Sequence, residues 1–349
     1  MNKASKIIAP ALSLLLLNLP LFARTALEQA GTPAPAEDFS LPAPQAEYPG
    51  QPPSAVTAQQ KLALFDYNKA DALSFTRLPG AARENYFVED LELRVADATA
   101  SGGGYIQKYT YYRTYLPGPR PTVIIPMHFM GQKSVSDWAA MYFAKNGYNA
   151  VLIIPQGSLT DKTRPLIKMN ELLQQEVVAG RMCVDLLETF PEADREKLYA
   201  FGISMGAIRA VLLFGVEQRI KKAGEIAGGG DLPGIVADTQ FNALEKVRNA
   251  RMKAEGLATI EDFRAYVTGV MKFDPLDFGC LRAPEDLIMV MGNNDNFVPD
   301  LYQEKLYAAF SRPGEGRYPS VVRTGQGHLI TSFQFRKHID RFIKFFEGR

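Results

Sequence analysis

Gly202-Ile203-Ser204-Met205-Gly206 lies between two apolar runs. Before it, Lys197-Leu198-Tyr199-Ala200-Phe201 has the aromatic and aliphatic content of a buried strand. After it, Ala207-Ile208-Arg209-Ala210-Val211-Leu212-Leu213-Phe214 reads as a mostly apolar, buried helix. A serine between a strand and a helix, with glycine two positions away on each side, is the pattern of a nucleophile elbow. The glycines have a physical reason. The turn holds the serine in a strained backbone conformation, and side chains at the flanking positions collide with the adjoining strand and helix. Because so short a pattern recurs by chance, its meaning depends on what stands around it.

Upstream, Pro121-Thr122-Val123-Ile124-Ile125-Pro126 is a short buried strand, followed by Met127-His128-Phe129-Met130-Gly131-Gln132. A helix from Val135 to Lys145 ends at Asn146-Gly147, as a C-cap requires. Ala150-Val151-Leu152-Ile153-Ile154 is a second buried strand, and a long helix is expected from about Leu166 to Phe190. Strands alternating with helices indicate βαβ units and a largely parallel sheet. Asn85–Ala96 and Tyr105–Leu116 are strand-like instead, joined through Ser101-Gly102-Gly103-Gly104, and predict antiparallel strands at the N-terminal edge. Val56–Arg77 has weak helical character.

Downstream, Ala223–Gly230 reads as a strand with its exit loop. Phe241–Glu255 and Ile260–Lys272 are charged and amphipathic, with a capping box at Thr259 and Asp262, and predict a helical insertion over the carboxyl edge of the sheet at about 235–275. The sheet resumes at Asp286–Gly292 and Ser320–Arg323, and a closing helix runs from Phe333 to Phe346. The fold class is therefore α/β: a mostly parallel twisted sheet flanked by helices, with antiparallel N-terminal strands and a helical insertion before the penultimate strand.

A serine hydroxyl needs a base within hydrogen-bond reach, and the chain holds 3 histidines. His338 lies inside the closing helix, and His128 follows a strand upstream of the serine. His328, in the loop Thr324-Gly325-Gln326-Gly327-His328 after the last strand, lies at the carboxyl edge where open α/β sheets bind ligands. The base in turn needs a carboxylate to orient it. Asp295 directly follows the penultimate strand, whereas Asp286 opens that strand at the wrong end and Asp300 suits the first turn of the next helix. The candidate catalytic residues are Ser204, Asp295 and His328, in that order. The backbone amides of Met205 and Phe129 are the candidate oxyanion donors.

These motifs give the chain its resemblance: His128-Phe129-Met130-Gly131, Gly202-Ile203-Ser204-Met205-Gly206, Asn294-Asp295-Asn296-Phe297-Val298-Pro299 and Gly327-His328. From about Asn85 to Arg349 the chain resembles the α/β-hydrolase superfamily, in particular exported bacterial esterases and dienelactone hydrolases. The resemblance implies the α/β-hydrolase fold and a serine hydrolase that cleaves carboxylic esters through an acyl-enzyme, with no metal or organic cofactor. A small-molecule ester is then the expected partner. A serine peptidase or amidase of the same fold, or a non-catalytic binding protein that retained it, are the alternatives. Ser204 stands where some dienelactone hydrolases carry cysteine, so lactone specificity does not carry over. Gln132, Trp138, the Gln156–Thr160 loop, Asp231 and the helical insertion are the candidate pocket walls.

The remainder of the chain bounds this reading. With 39 basic against 38 acidic residues there is no reason to expect nucleic acid as partner. Lys3 and Lys6 precede an interrupted apolar run, Ile7–Phe22, as in a secretory signal peptide. Residues 1–26 are expected to be that signal, 27–55 a Pro/Ala-rich linker and 56–349 the α/β domain, giving an exported protein, periplasmic or secreted, with no stable membrane insertion after processing. Cys183 and Cys280 are far apart in sequence, and both a disulfide and two separate buried thiols remain open.

Overall fold

The computed structural model describes residues 55–96, 104–128 and 133–349. The proposed signal and linker lie outside these residues. Two short helices, α1 (Ala55–Lys61) and α2 (Lys69–Ala72), lead into β1 (Phe75–Arg77), β2 (Ala81–Ala82), β3 (Tyr86–Val95) and β4 (Tyr105–Thr114). Then strands and helices alternate: β5 (Arg120–Pro126), α3 (Lys133–Lys145), β6 (Asn149–Ile154), α4 (Ile167–Leu187), β7 (Ala193–Ile203), α5 (Met205–Val216) and β8 (Ile220–Ile226). Three helices follow: α6 (Leu232–Asp238), α7 (Asn242–Glu255) and α8 (Ile260–Val270). The chain closes with β9 (Leu287–Gly292), α9 (Asp300–Phe310), β10 (Ser320–Thr324), α10 (His328–Phe333) and α11 (Phe335–Phe346).

Among the described residues the strands form one sheet in the order β1-β3-β4-β6-β5-β7-β8-β9-β10, with β2 on β3. The pairings from β1 through β4 to β6 are antiparallel, and those from β6 to β10 are parallel. The parallel strands are buried on both faces, so they read as continuous apolar runs. Alternate residues nonetheless face opposite sides, because the side-chain period of a strand is two. Ile124, Leu198, Ala200 and Met289 pack in the core beneath α4, α5 and α9, and Val123, Tyr199, Phe201 and Val290 pack beneath α3 and α11. On the second side Tyr199 and Phe346 stack with centroids 4.5 Å apart, and Phe201 meets Phe342 edge-on at 4.9 Å. The aromatic stripe of the closing helix is thus core packing.

Two local expectations change, and one open alternative is decided. The weakly helical N-terminal segment consists of α1, a 3-10 turn and α2, and its last residues join the sheet as β1. His328 does not sit in a loop: it is the first residue of α10. Cys183 is buried under the sheet and Cys280 partly exposed, and both are free thiols. No helix among the described residues is long and apolar enough to cross a membrane.

Candidate active site

Ser204 sits between β7 and α5 at φ 58°, ψ −127°. A left-handed φ is unfavourable for a residue with a side chain and costs on the order of 1–3 kcal/mol. Neighbouring contacts hold it there: the Ser204 amide donates to the Ile226 carbonyl of β8 at 2.8 Å. A Cβ on Gly202 would stand 2.1 Å from the Gly206 carbonyl, and one on Gly206 would stand 2.6 Å from the Pro126 carbonyl. Both positions therefore require glycine, and the second lets α5 start directly against the end of β5.

Asp295 and His328 come to this turn from the ends of β9 and β10, farther along the same edge of the sheet. His328 Nε2 lies 2.8 Å from Ser204 Oγ, and its Nδ1 lies 2.6 Å from Asp295 Oδ2. With Asp295 as acceptor, the proton is assigned to Nδ1, leaving Nε2 free to accept from the serine hydroxyl. The other carboxylate oxygen, Oδ1, accepts from the amides of Phe297 at 2.8 Å and Val298 at 2.9 Å. Both loops are tied together: the Asn293 amide donates to the Thr324 carbonyl at 2.9 Å, and Asn294 Nδ2 donates to the Gly325 carbonyl at 3.0 Å. Asp295 and His328 are buried. Neighbouring groups thus fix the acid and base in place before any ligand arrives.

The Met205 amide is in the first turn of α5, where an N–H has no carbonyl one turn back to bond. Phe129 lies outside the described residues, but the residues leading to it are well held. The Met127 carbonyl accepts from Arg209 Nη1 at 2.7 Å, and the His128 amide donates to Ser136 Oγ at 3.2 Å. His128 Nδ1 meets the same hydroxyl at 3.1 Å. Burial, aided by nearby Arg209, pushes the His128 imidazole down to about 4, so it is neutral at neutral pH. Arg209 on α5 pairs with Glu176 on α4, both buried. Burial raises the Glu176 carboxyl to about 7 and lowers the arginine, opposing the attraction between them.

Of the other acids, Asp300 begins α9 and Asp286 precedes β9 at the opposite end of the sheet. Asp231 lies at φ 65°, N-caps α6 through the Gly234 amide and pairs with Lys305. Trp138 packs against Phe333 and under Arg336. Neither lines the cleft at Ser204. That cleft has an empty volume of about 790 Å³ counted to its open mouth. Its walls come from α4, α5, α6, α7 and α8, from Leu159 in the loop after β6 and from Phe297 and Val298 in the loop after β9.

Two features of the site were missed in the sequence. Phe297 stacks on the His328 ring with centroids 4.3 Å apart, and Phe241, just before α7, stacks on Phe297 at 3.6 Å. Glu225, opposite Gly202 in the sheet register, is wholly buried, and its Oε2 accepts from the Gly228 amide at 2.7 Å. Burial, reinforced by the nearby Asp295 charge, pushes its carboxyl up to about 8. A lone acid in the apolar strand Ala223–Ile226 was the available signal for Glu225; the two phenylalanines gave none that distinguished them from core residues.

No protein-family model matches the chain, and no curated protein matches it in sequence. Solved structures do match. An acetyl xylan esterase from Paenibacillus sp. R4 is 14% identical, over 86% of this chain and 96% of that one, with a TM-score of 0.64. A glucuronoyl esterase from Teredinibacter turnerae T7901 is 13% identical, over 83% of each chain, with a TM-score of 0.56. The α/β hydrolase GrgF from Penicillium sp. sh18 is 14% identical, over 78% of this chain and 99% of that one, with a TM-score of 0.54. Sheet order, the strained turn at Ser204 and these likenesses lead to one conclusion: the chain has the α/β-hydrolase fold.

Proposed function

We propose that the protein is a carboxylic-ester hydrolase that works through an acyl-enzyme on Ser204. The observation that carries this is the continuous hydrogen-bonded chain from Ser204 Oγ through His328 to Asp295, at 2.8 and 2.6 Å. Ser204 Oγ attacks the ester carbonyl carbon while its proton passes to His328 Nε2. The carbonyl oxygen becomes an oxyanion facing the Met205 amide and a second amide after β5, for which Phe129 remains the candidate. Asp295 stabilises the imidazolium formed in that step. The C–O bond then breaks, the leaving alkoxide takes the proton from His328, and the alcohol departs. Water, deprotonated by His328, attacks the acyl-enzyme and releases the acid and the free serine.

The fold likeness to esterases supports the reaction class. Export is part of the same proposal, supported by Lys3, Lys6 and the apolar run that follows them. The test is a fluorophosphonate probe with short p-nitrophenyl esters. The wild-type protein should be labelled at Ser204 and should turn over the esters, and Ser204→Ala should lose both while keeping its circular dichroism. Turnover that persists in the folded alanine variant would refute the assignment.

A further inference from the structure

The cleft beside Ser204 carries information about the substrate. Its surface is almost entirely carbon. Ile208 supplies one wall, one helical turn beyond Ser204 on α5; Met169 and Leu173, one turn apart on α4, supply a second. The roof is the helical insertion, with Phe263 of α8 and a stripe of α7 facing inward. That stripe is Leu244, Val247, Arg248 and Arg251, the i, i+3, i+4, i+7 spacing of one helix face.

Two arginines on a face turned to an apolar cavity need an account. Arg248 Nη1 donates to the Ala237 and Thr239 carbonyls, the second at 3.1 Å. Arg251 Nη2 donates to the Leu159 carbonyl at 2.7 Å and the Asp161 carbonyl at 2.9 Å. Their charged ends are thus occupied by backbone, and the methylene stems are left for the cavity. The same bonds fasten the roof to α6 on one side and to the loop after β6 on the other. Glu255, at the end of α7, adds a third tie by accepting from the Leu166 amide at 3.0 Å. The cavity is therefore built before any ligand arrives.

Which part of an ester it holds follows from the position of the base. The leaving oxygen must come within hydrogen-bond reach of His328 Nε2 to take its proton. The cavity wall includes Ser204 and Met205, and toward the base it ends on Phe297, whose ring covers the His328 imidazole; His328 itself is not in the wall. The group that fills it must therefore be on the other side of the carbonyl. Resting on the ester-hydrolase reading, we propose that the enzyme selects esters whose acyl group is apolar and longer than acetyl, and holds the acyl chain under the α7–α8 roof.

The test is a series of p-nitrophenyl esters from acetate to octanoate, paired with a series of acetate esters whose alcohol lengthens instead. Each buried methylene should raise kcat/KM by roughly fourfold, so with its four added methylenes buried, hexanoate should exceed acetate by roughly 250-fold, while lengthening the alcohol should have little effect. Val247→Trp, on a partly exposed roof position, should lower the hexanoate-to-acetate ratio by roughly tenfold or more. Acetate turned over as well as hexanoate by a protein that fluorophosphonate labels at Ser204 would overturn the acyl assignment and leave ester hydrolysis standing. Dependence on alcohol length alone, or an unchanged ratio in folded Val247→Trp, would overturn it too. Neither labelling nor turnover of any ester would refute the underlying reaction.

Discussion

The Phe297 ring lies against the imidazole of His328, with centroids 4.3 Å apart and planes within 10° of parallel. Phe241 covers its other face, so the ring is held between the insertion and the imidazole. A ring face carries partial negative charge and favours a cation against it. In the proposed reaction the cation is the imidazolium formed as Ser204 attacks. Phe297→Leu keeps apolar bulk and removes the π face. We expect kcat to fall about tenfold, with little change in KM or thermal midpoint. Steady-state kinetics and thermal melts of both proteins measure this, and an unchanged kcat would reduce Phe297 to packing.

Asp295 gives a sharper test of orientation. In Asp295→Asn the side-chain oxygen can still accept from the Phe297 and Val298 amides, so the loop should keep its shape. The amide nitrogen would then face His328 Nδ1 and favour the tautomer with its proton on Nε2, where it cannot accept from serine. Turnover should fall on the order of 10³–10⁴-fold. Near-UV circular dichroism should stay unchanged, and kinetics on a short ester read the loss.

Gly206→Ala tests the close approach of α5 to β5. The new methyl would meet the Pro126 carbonyl, a backbone atom in a buried strand that cannot swing aside. Destabilisation of about 2–4 kcal/mol is expected, read as a shift in the urea midpoint at constant slope. A shift under half a kcal/mol would show that the strand end gives way.

Glu225 makes stability depend on pH in the direction opposite to most carboxylates. Its folded carboxyl is raised to about 8 by burial, so between its unfolded value and about 8 the folded state holds a proton that the unfolded state has lost. Stability from this group is complete below the unfolded pKa and declines as pH rises through that window. Glu225→Gln, which can still accept from the Gly228 amide, should remove the decline. Relative to wild type, the variant should gain on the order of 2 kcal/mol between pH 5 and pH 8. Urea titrations at the two pH values supply the comparison, and parallel losses in both proteins would contradict it.

The sequence made Ser204, Asp295 and His328 legible for one physical reason: each lies just beyond an apolar strand, and the ends of parallel strands converge on one edge. The glycines of the turn were legible because strand and helix approach too closely there to admit a Cβ. Contacts made by the insertion were not. Phe241 reads as an ordinary aromatic at a helix start, and only the tertiary path of α7 brings it over Phe297. Arg248 and Arg251 look like a solvated face in a charged helix, yet their guanidinium groups bind backbone carbonyls. His328 opens a helix where the Gly-rich sequence suggested a loop, because α10 starts immediately after Gly327.

The manner in which the roof is fastened bears on how this protein can change. Arg248 and Arg251 bind carbonyl oxygens of the main chain, which every residue type supplies. Side chains at Leu159 and Thr239, both in the cavity wall, can therefore be exchanged without removing the groups that the arginines hold. Attachment and selectivity reside in different atoms of the same residues. If the proposed reaction holds, a library that varies those positions should yield altered ester preference at little cost in thermal midpoint, which makes the rim of the insertion a favourable place for redesign.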